Sequence, residues 1–465
     1  MDKKMIIVIA IAVLVGTVGW YFTRQLGTEQ IISPVIVNSP QESSEASIPT
    51  ESNEVLSSVG SSILENELEA VAEAVAKMQE KLINKPDLVV VYSTAAYDEE
   101  KILTELERLL PGTKIFGGNS GFGVITPGEY LWFPVAQRAL AVMGIATPKI
   151  TWGLGISSIE GISSREAAKE ALLSAMKDSG KGEGVKPNLI IDNSTFWVQH
   201  EEALKGIADV VGADVPVYGA YSVDKGIVGD WRIFINGQVY QNGVALAAVY
   251  TDLKFASARE HGFEVTEKGG VATKVDKYRL YEIDGRPAAE VYNELIGGLL
   301  AKEVADPEHA DLTKIRLTSG LNPLAKSIAV SGGEPFYVPA LSVSIMPDKS
   351  MMLDVEVKEG DELRVLRGDW EILLNRLRTT PEKAMLDSGI KKEKIIFALN
   401  AYCCATHYVV PETERPKSPE IFQEAIGAAP YIGVCGCGIE NYEPQIGNVY
   451  SSLGNGVLLF SSEEN

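Results

Sequence analysis

The chain repeats one order of apolar and helical segments three times, and this repetition constrains its fold more than any single motif. The first copy covers residues 86–145, the second covers residues 187–249, and a looser third copy runs through residues 394–460. Each copy contains a strand-like segment, a helical stretch, a second strand-like segment ending in glycine, and a closing strand. The pattern predicts an α/β fold with its copies in equivalent positions.

The first two copies correspond almost residue by residue. Pro86-Asp-Leu-Val-Val-Val-Tyr-Ser-Thr matches Pro187-Asn-Leu-Ile-Ile-Asp-Asn-Ser-Thr, and both runs precede a helical stretch. The C-terminal half of the chain resembles a degenerate duplicate of the N-terminal half, and 465 residues exceed the size of one ordinary core. We therefore expect two similar α/β lobes of repeated strand-helix-strand-strand units, covering residues 62–250 and 251–465.

The N-terminus carries a nearly unbroken apolar run at residues 5–22. Lys3 and Lys4 precede this run, Arg24 closely follows it, and the next basic residue is Lys77. The run is long enough for a transmembrane helix, and the basic residues favour a cytoplasmic N-terminus. Residues 1–25 are thus predicted to be a membrane anchor with the bulk of the chain outside the cytoplasm. A cleavable signal peptide is the alternative.

The segment that follows the apolar run is rich in Ser, Glu, Pro and Thr, which predicts a disordered tether over residues 26–61. Beyond it the apolar spacing changes to alternating steps of four and three, which is typical of an amphipathic helix. The residues are Leu64, Leu68, Val71, Val75, Met78 and Leu82. Docking on the first lobe and a dimeric coiled coil are the two interpretations, and docking is favoured.

The charge balance excludes one class of partner. The chain has 63 acidic and 42 basic residues, for a formal net charge of −21, and its Lys and Arg are not clustered. Nucleic acid is therefore not an expected partner, because neutralising phosphates needs basic patches. The sequence also has no phosphate-loop or HExxH motif.

Polar side chains recur where the predicted strands end. In open α/β sheets, ligands bind at the carboxyl ends of strands, where glycine-rich turns expose backbone N–H groups. We predict a pocket for a small polar ligand there, although each turn taken alone is also explained as a strand terminator. The candidate residues are Ser93, Thr94, Asn119, Ser120, Asn193, Ser194, Tyr221, Ser222 and Asn400.

All four cysteines lie in the third copy. Cys403 and Cys404 close one predicted strand, and Cys435 and Cys437 close the next, with His407 between the pairs. Neighbouring parallel strands lie ~4.8 Å apart, so at least one cysteine of each pair should be close to the other pair. A disulfide, simple packing of small side chains and a soft-metal site all remain open.

Histidine offers little support for a cofactor. The sequence lacks the CxxCH pattern of covalent haem, and His407 is the single histidine that we would nominate as an axial haem ligand. His200 lies at the start of a predicted helix, where we expect it to cap the helix or to face solvent. Haem is therefore not expected.

Several of these segments, in this order, resemble the FIST family. The N-terminal region is similar through Leu88-Val-Val-Val-Tyr-Ser, Leu109-Leu-Pro-Gly-Thr-Lys-Ile-Phe-Gly-Gly-Asn-Ser-Gly and Val217-Tyr-Gly-Ala-Tyr. The C-terminal FIST region is similar through Tyr281-Glu-Ile-Asp-Gly-Arg-Pro and Asn455-Gly-Val-Leu-Leu-Phe. The family's Gly-Glu after the last glycine turn is altered, since Gly438 is followed by Ile439 and then Glu440. The resemblance adds Glu440 to the candidate ligand-binding residues.

The resemblance implies a sensory module that binds amino-acid-like ligands and acts with a signalling partner; some FIST proteins are haem-linked nitric oxide sensors. This chain has no recognisable output domain of its own. We therefore expect a membrane-anchored, extracytoplasmic small-molecule sensor. The alternatives are a thiol- or metal-dependent redox protein that uses the cysteines, a haem-linked gas sensor, and a scaffold that binds another protein.

Overall fold

A computed structural model describes residues 56–132, 137–182, 184–225 and 229–465. Within these ranges the chain forms three six-stranded sheets and one eight-stranded sheet with helices packed against them, which confirms the α/β class. The predicted membrane segment at residues 5–22 lies outside the described residues. Among the helices that are described, none is both long and apolar enough to span a bilayer.

The first predicted copy forms unit 1. Its amphipathic helix is confirmed: α1 starts after Asn66, whose side chain accepts the backbone N–H of Leu68 and Glu69, and it buries Val71, Val75 and Met78 against unit 1. This packing corresponds to the docking interpretation. The elements are β1 (Leu56–Ser62), α1 (Glu67–Gln79), β2 (Leu88–Ser93), α2 (Glu99–Leu109), β3 (Lys114–Asn119), β4 (Gly123–Thr126), β5 (Glu129–Trp132) and β6 (Leu140–Ala146).

The second copy forms unit 2 with the same element order. Its first helix, α3, begins after the capping residue Ser163 and ends at Gly180, which has the left-handed conformation that closes a helix. The elements are β7 (Ile150–Ser158), α3 (Ser164–Ser179), β8 (Leu189–Asp192), α4 (His200–Val211), β9 (Val217–Ala220), β10 (Ile233–Ile235), β11 (Gln238–Tyr240) and β12 (Gly243–Thr251).

An inserted subdomain follows the first strand of the third unit, β13 (Leu253–Glu260). It contains the eight-stranded sheet and three short helices, and its apolar residues join the core of unit 2. The elements are β14 (Glu264–Asp276), β15 (Arg279–Ile283), β16 (Arg286–Pro287), α5 (Ala288–Leu295), α6 (Ala301–Ala305), α7 (Leu312–Leu321), β17 (Leu324–Ile328), β18 (Phe336–Ala340), β19 (Ser342–Ile345), β20 (Met351–Leu353) and β21 (Glu362–Arg367).

The remainder of the chain completes unit 3. Helix α8 packs on β13 and on the closing strand, while the third copy supplies the other strands. The elements are α8 (Trp370–Ser388), β22 (Ile395–Cys403), α9 (Cys404–Val409), α10 (Ser418–Ile426), β23 (Tyr431–Gly436), β24 (Ile439–Glu443), β25 (Gly447–Ser451) and β26 (Asn455–Glu464).

The three units exchange hairpins in a closed cycle. Sheet 1 has the order β1-β6-β2-β3-β10-β11, sheet 2 has β7-β12-β8-β9-β24-β25, and sheet 3 has β13-β26-β22-β23-β4-β5. Each sheet therefore holds four strands of its own unit and a hairpin from another. Unit 1 lends β4–β5 to sheet 3, unit 2 lends β10–β11 to sheet 1, and unit 3 lends β24–β25 to sheet 2.

This exchange corrects the expectation of two similar lobes. Hairpin β24–β25 joins sheet 2 and β4–β5 joins sheet 3, so the stretches 62–250 and 251–465 share sheets rather than forming separate ones. The repetition in sequence defines each unit, but it carries no information about which sheet a hairpin will join. Residues 338–357, which lie within the expected C-terminal lobe, belong to the inserted subdomain.

The predicted tether also needs a correction at its C-terminal end. Strand β1 (Leu56–Ser62) pairs along its whole length with β6 of sheet 1, from Leu56 opposite Ala146 to Ser62 opposite Leu140. The serines of this segment wrongly indicated disorder, because backbone pairing with a buried strand orders a segment whatever its polarity. Residues 26–55 lie outside the described residues.

Candidate functional site

The second strands of the three units meet at their carboxyl ends. The Gly121 N–H donates to the Cys435 carbonyl at 3.0 Å, and the Cys435 N–H donates to Ser120 Oγ at 2.9 Å. The Val223 N–H donates to the Asn119 carbonyl at 3.4 Å, which links unit 2 to unit 1. We call residues 119–121, 221–223 and 435–436 the central junction. The strand ends are therefore neighbours, as the copies indicated.

Most of the polar residues predicted at these strand ends bond one another. Asn119 Nδ2 donates to Ser93 Oγ at 3.3 Å and to Glu99 Oε1 at 2.8 Å. Ser222 Oγ donates to Asn193 Oδ1 at 3.1 Å. Internal bonding of this kind stabilises a packed junction, although Asn193 Nδ2 and Asn400 Oδ1 have no hydrogen-bond partner among the described residues.

The other predicted positions are likewise engaged inside the protein. Thr94 Oγ1 accepts the Ala139 N–H at 3.2 Å, and Ser120 Oγ also lies against the Gly123 carbonyl. Asn400 Nδ2 donates to Asn455 Oδ1 at 2.9 Å, in sheet 3. These residues are buried, and they are spread over three sheets rather than gathered around one group.

Two carboxyl groups in sheet 2 differ from this pattern. Strand β8 places Asp192 opposite Gly219 on one side, and the lent strand β24 places Glu440 opposite Gly219 on the other. Gly219 has no side chain, so the two carboxyl groups reach toward each other above it. A Cβ at Gly219 would lie 2.9 Å from Asp192 Cβ and 3.1 Å from Glu440 Oε2. Asp192 and Glu440 form what we call the carboxyl pair.

Burial controls the ionisation of the carboxyl pair. Asp192 is 1% exposed and Glu440 is 0% exposed. Burial raises the pKa of Asp192 to about 6, although Ser194 Oγ donates to Asp192 Oδ1 at 2.5 Å and opposes the rise. Burial, followed by the charge of Asp192, raises the pKa of Glu440 well above its ordinary value. The two groups titrate as a unit, and their raised pKa values favour a state in which the pair shares one proton and carries one negative charge.

Several polar atoms at the carboxyl pair are buried without a hydrogen-bond partner among the described residues. They include both carboxyl oxygens of Glu440, Oδ2 of Asp192, the hydroxyl of Tyr221 and Nδ1 of His200. The two carboxyl groups and the Tyr221 hydroxyl are close enough to influence the pKa values of Asp192 and Glu440, but these atoms make no well-aligned hydrogen bonds with one another. Each unpaired buried group costs about 1–3 kcal/mol. A cluster of such groups in one place needs a specific explanation.

Three aromatic rings form a wall beside the carboxyl pair. The rings of His200 and Tyr221 stack with centroids 3.4 Å apart, and Tyr450 lies 4.7 Å from His200. Tyr450 is carried on β25, directly opposite Glu440 in the lent hairpin. Burial lowers the pKa of His200 to about 3, so its imidazole is neutral. His200 is only 6% exposed, so its expected role as a cap or solvent-facing residue is wrong.

A second set of groups surrounds Tyr450 on its outer side. Glu201 connects helix α4 to the inserted subdomain, because its carboxylate accepts the Tyr278 hydroxyl at 3.4 Å and the Glu356 N–H at 3.2 Å. Burial raises the pKa of Asp354 to about 7. We call four partly exposed residues the outer polar set: Glu201, Arg316, Asp354 and Cys437.

The charges that act on Tyr450 show how the carboxyl pair and the outer polar set are placed relative to each other. After burial, the charges of Asp354 and Glu201 contribute most to raising the pKa of Tyr450, so these groups lie near its ring. Tyr450 therefore stands between the buried carboxyl pair and the partly exposed outer polar set. A ligand that displaced or passed this ring would meet both.

Sequence reasoning nominated Tyr221 and Glu440 but missed Asp192 and His200 as site residues. One signal could have revealed Asp192: the second copy has Leu-Ile-Ile-Asp where the first has Leu-Val-Val-Val. An acid at a buried strand position that is apolar in a sister copy needs a specific reason. No comparable signal marked His200.

The cysteines are close together, as predicted. Cys404 and Cys435 form a disulfide with a Cα–Cα separation of 5.3 Å, whereas Cys403 and Cys437 are thiols. The disulfide alternative is therefore the one that the structure contains, and it removes two thiolates from the predicted metal set. No three His, Cys, Asp or Glu side chains in the described part of the chain are grouped to hold a metal. The side chain of His407 is outside that part.

A comparison with protein families identifies the class of this region. Residues 87–286 match a family of sensory, small-ligand-binding domains. The family is FIST, and the matching description is the FIST N domain, which confirms the predicted resemblance for this part of the chain. The match includes Asp192, His200 and Tyr221 but not Glu440 or Tyr450. The similarity to a C-terminal FIST region stays a prediction.

Similarity to individual proteins is more limited. An uncharacterized protein of Methanocaldococcus jannaschii is 28% identical over 116 residues, which is 24% of this chain and 23% of that protein. The aligned part thus spans about a quarter of that relative. A cyanuric acid hydrolase from A. caulinodans aligns over 88% of this chain and 100% of its own, with a TM-score of 0.35 and 8% identity. A second cyanuric acid hydrolase structure gives a TM-score of 0.31 at 9% identity.

Proposed function

We propose that this protein is a membrane-anchored sensor of a small, polar, amino-acid-like molecule, and that the ligand's amino group binds at the carboxyl pair. The observation that carries the proposal is the set of unpartnered buried oxygens on Glu440 and Asp192. An ammonium group has three donors and no acceptor, so it matches a site of carboxyl oxygens with one net negative charge. The neighbouring ring faces of Tyr221 and Tyr450 also favour a cation.

The outer polar set supports a second charged group on the ligand. Arg316 is partly buried in helix α7, and its Nε donates to the Val343 carbonyl at 3.3 Å. The terminal nitrogens of a guanidinium bind carboxylates in a bidentate manner. A ligand with an amino group at one end and a carboxylate at the other fits this separation of charge, which favours an amino-acid-like compound.

The strand exchange gives the site a means of signalling. Asp192, Tyr221 and His200 belong to unit 2, whereas Glu440 and Tyr450 reach sheet 2 on the hairpin lent by unit 3. The hairpin pairs with β9 through two register pairs alone, Ile439 with Ala220 and Glu440 with Gly219. A ligand held by both units would tighten this short connection and change how the units move against each other.

Anchoring and orientation form the second part of the proposal. The apolar run at residues 5–22 and the basic residues before it support a single span with the sensor outside the cytoplasm. Such a sensor would act through a signalling partner. Protease added to intact cells should cut within residues 26–55; complete protection of that segment would contradict the orientation.

Ligand binding is tested by calorimetry on the full chain in detergent. The panel pairs amino acids with the amines and carboxylic acids that each lack one charged group. Glu440→Gln and Asp192→Asn should each weaken the binding of amino acids and amines about 10-fold or more, since a hydrogen bond to a charged group contributes ~1.5–3 kcal/mol. Binding that is unchanged in both variants would overturn the proposed site.

The matched control is Glu99→Gln. Glu99 is also a largely buried carboxyl group with a raised pKa, caused first by burial, but it belongs to unit 1 and accepts Asn119 Nδ2. Its replacement removes a comparable charge outside the proposed site, so the affinity should stay within about twofold of the original value. A loss as large as that of Glu440→Gln would indicate a general effect on folding.

A further inference from the structure

Two cysteines lie close together in sequence at the end of the strand next to Cys404. Strands β22 and β23 run parallel, and their last register pair is Cys403 with Gly436, because Cys404 begins helix α9. Cys437 follows Gly436 and packs against the apolar cluster that contains both Cys404 and Cys435. In the structure, however, Cys404 is bonded to Cys435, with 5.3 Å between the Cα atoms. The Cys-Gly-Cys segment thus offers Cys404 one partner that it uses and another that it does not.

The two cysteines of that segment have different surroundings. Cys435 is fully buried within the central junction, whereas Cys437 is partly exposed and is a thiol. Cys437 also belongs to the outer polar set, close enough to Asp354 and Arg316 for their charges to act on its thiol. A nucleophilic sulfur therefore lies two residues from a disulfide, between that disulfide and the proposed ligand site.

We propose that Cys437 exchanges with the disulfide, so that Cys404 alternates between Cys435 and Cys437 as partners. In this step the Cys437 thiolate attacks the sulfur of Cys404. The Cys404–Cys435 bond breaks as the Cys404–Cys437 bond forms, and Cys435 leaves as a thiolate that takes up the proton lost by Cys437. One disulfide is replaced by another, so the exchange needs no oxidant or reductant.

The exchange would change the central junction. The backbone of Cys435 is tied to unit 1 on both sides, through its N–H to Ser120 Oγ and through its carbonyl to the Gly121 N–H. Glu440 follows three residues after Cys437 on the same segment. Moving the disulfide from Cys435 to Cys437 shifts the restraint from the junction toward the carboxyl pair, which gives the protein two states that differ at the proposed ligand site.

The protonation state of Cys437 sets the rate of the disulfide exchange. Burial raises the pKa of its thiol, the nearby Cys403, Asp354 and Asp224 raise it further, and Arg316 opposes them. Only the thiolate attacks a disulfide, so exchange is slow near neutral pH and becomes faster as the pH rises. Slow exchange suits a state that persists after the ligand has left.

The first test uses the full chain with Cys435→Ser, incubated with oxidised glutathione as the small disulfide that takes up two electrons. Three cysteines remain, and a Cys404–Cys437 bond should leave one thiol, at Cys403, when thiols are counted by maleimide labelling after denaturation. Three thiols, a glutathione adduct or a bond to Cys403 would overturn the proposal. Cys404→Ser, treated in the same way, should keep three thiols; a bond between its remaining cysteines would assign the reactivity elsewhere and also overturn it.

A second test needs no substitution and so does not depend on the folding of a variant. Thiols of the unmodified chain are labelled at intervals at about pH 7 and about pH 9, and tandem mass spectrometry locates the label. The fraction labelled at Cys435 should rise as that at Cys437 falls, about 10-fold faster or more at the higher pH. A Cys435 that stays unlabelled while Cys437 is fully labelled would contradict the exchange.

Discussion

Sheets 1 and 2 have the same strand arrangement but carry different side chains at equivalent positions. We call three residues that pair across neighbouring strands a row. In sheet 1, Gly117 lies between Val91 and the lent residue Phe234. In the equivalent row of sheet 2, Gly219 lies between Asp192 and the lent residue Glu440. Sheet 3 repeats the row with Asn400, Gly433 and Ile125. In all three sheets the glycine leaves space for the side chain that the other unit contributes: Phe234, Glu440 or Ile125.

The difference between the rows separates a structural requirement from a functional one. The apolar row of sheet 1 contributes to packing, because Phe234 covers Gly117 and is itself fully buried. The acidic row of sheet 2 has unpartnered oxygens and costs stability by itself. Since the backbone tolerates an apolar row, the acids in sheet 2 point to a requirement other than folding. Four substitutions or measurements test this contrast, from the largest expected effect to the smallest.

Transferring one acid into sheet 1 should have the largest effect. Val91→Asp places a carboxyl group at a fully buried position beside Phe234, without a ligand or partner prepared for it. We expect a loss of about 3–5 kcal/mol in the free energy of unfolding, measured by urea denaturation. Val91→Ala serves as the control for lost packing. Similar losses in both variants would show that charge is not what distinguishes the rows.

Removing the space above the glycine in sheet 1 should come next. A methyl group at Gly117 would overlap the carbonyl oxygen of Val91, so Gly117→Ala must shift backbone and should cost about 3 kcal/mol. At Gly219 the nearest atoms are 2.9–3.1 Å away and include the end of the Glu440 side chain. Gly219→Ala should therefore destabilise less but weaken ligand binding. Thermal denaturation of both variants decides whether the order is correct.

The acidic row should also make stability depend on pH. Asp192 has a pKa near 3.8 when unfolded and about 6 when folded, so between these values the folded state binds more protons. The stabilising effect is complete below about pH 4 and is lost as the pH rises through about 6, by an amount on the order of 3 kcal/mol. Asp192→Asn should reduce this decline in urea midpoints between about pH 4 and 7, while Glu440 and Asp354, whose pKa values burial also raises, maintain the rest of it. An unchanged decline would assign it to other groups.

Copying the apolar row into sheet 2 should have the smallest effect on stability and the clearest effect on function. Replacing a buried ionisable pair with apolar residues is often neutral or stabilising, so Asp192→Val combined with Glu440→Leu should change the free energy of unfolding by about 0–2 kcal/mol, in the stabilising direction, near pH 7. Binding of amines should be lost. A variant that is both strongly destabilised and still binds would show that the acids are structural.

The sequence was sufficient for the parts of the fold that depend on local order. Strand β2 with helix α2, and strand β8 with helix α4, lie where the two best-matched copies place them, because apolar periodicity and glycine turns are local properties. The proximity of the two cysteine pairs followed from the same alignment. These features needed only the assumption that similar segments adopt similar structures.

The remaining features depend on distant pairings. Glu440 faces Asp192 only because unit 3 lends β24 to sheet 2, and nothing in the local pattern at residues 439–443 specifies β9 as the partner. The inserted subdomain was not predicted from the sequence, because its short strands resemble those of the repeated units. The sequence therefore shows Asp192 and Glu440 as two separate acids, and it does not predict that they form one site.

The cyclic exchange of hairpins also has a consequence for synthesis of the chain. Sheet 1 has all its strands once residue 240 has left the ribosome, but the edge of β9 in sheet 2 stays unpaired until residues 439–451 have been made. An open strand edge is a template for aggregation. During about half of translation, therefore, a nearly complete unit 2 must be kept from pairing with other chains, and the hairpin that brings Glu440 and Tyr450 into place is also what ends this exposure.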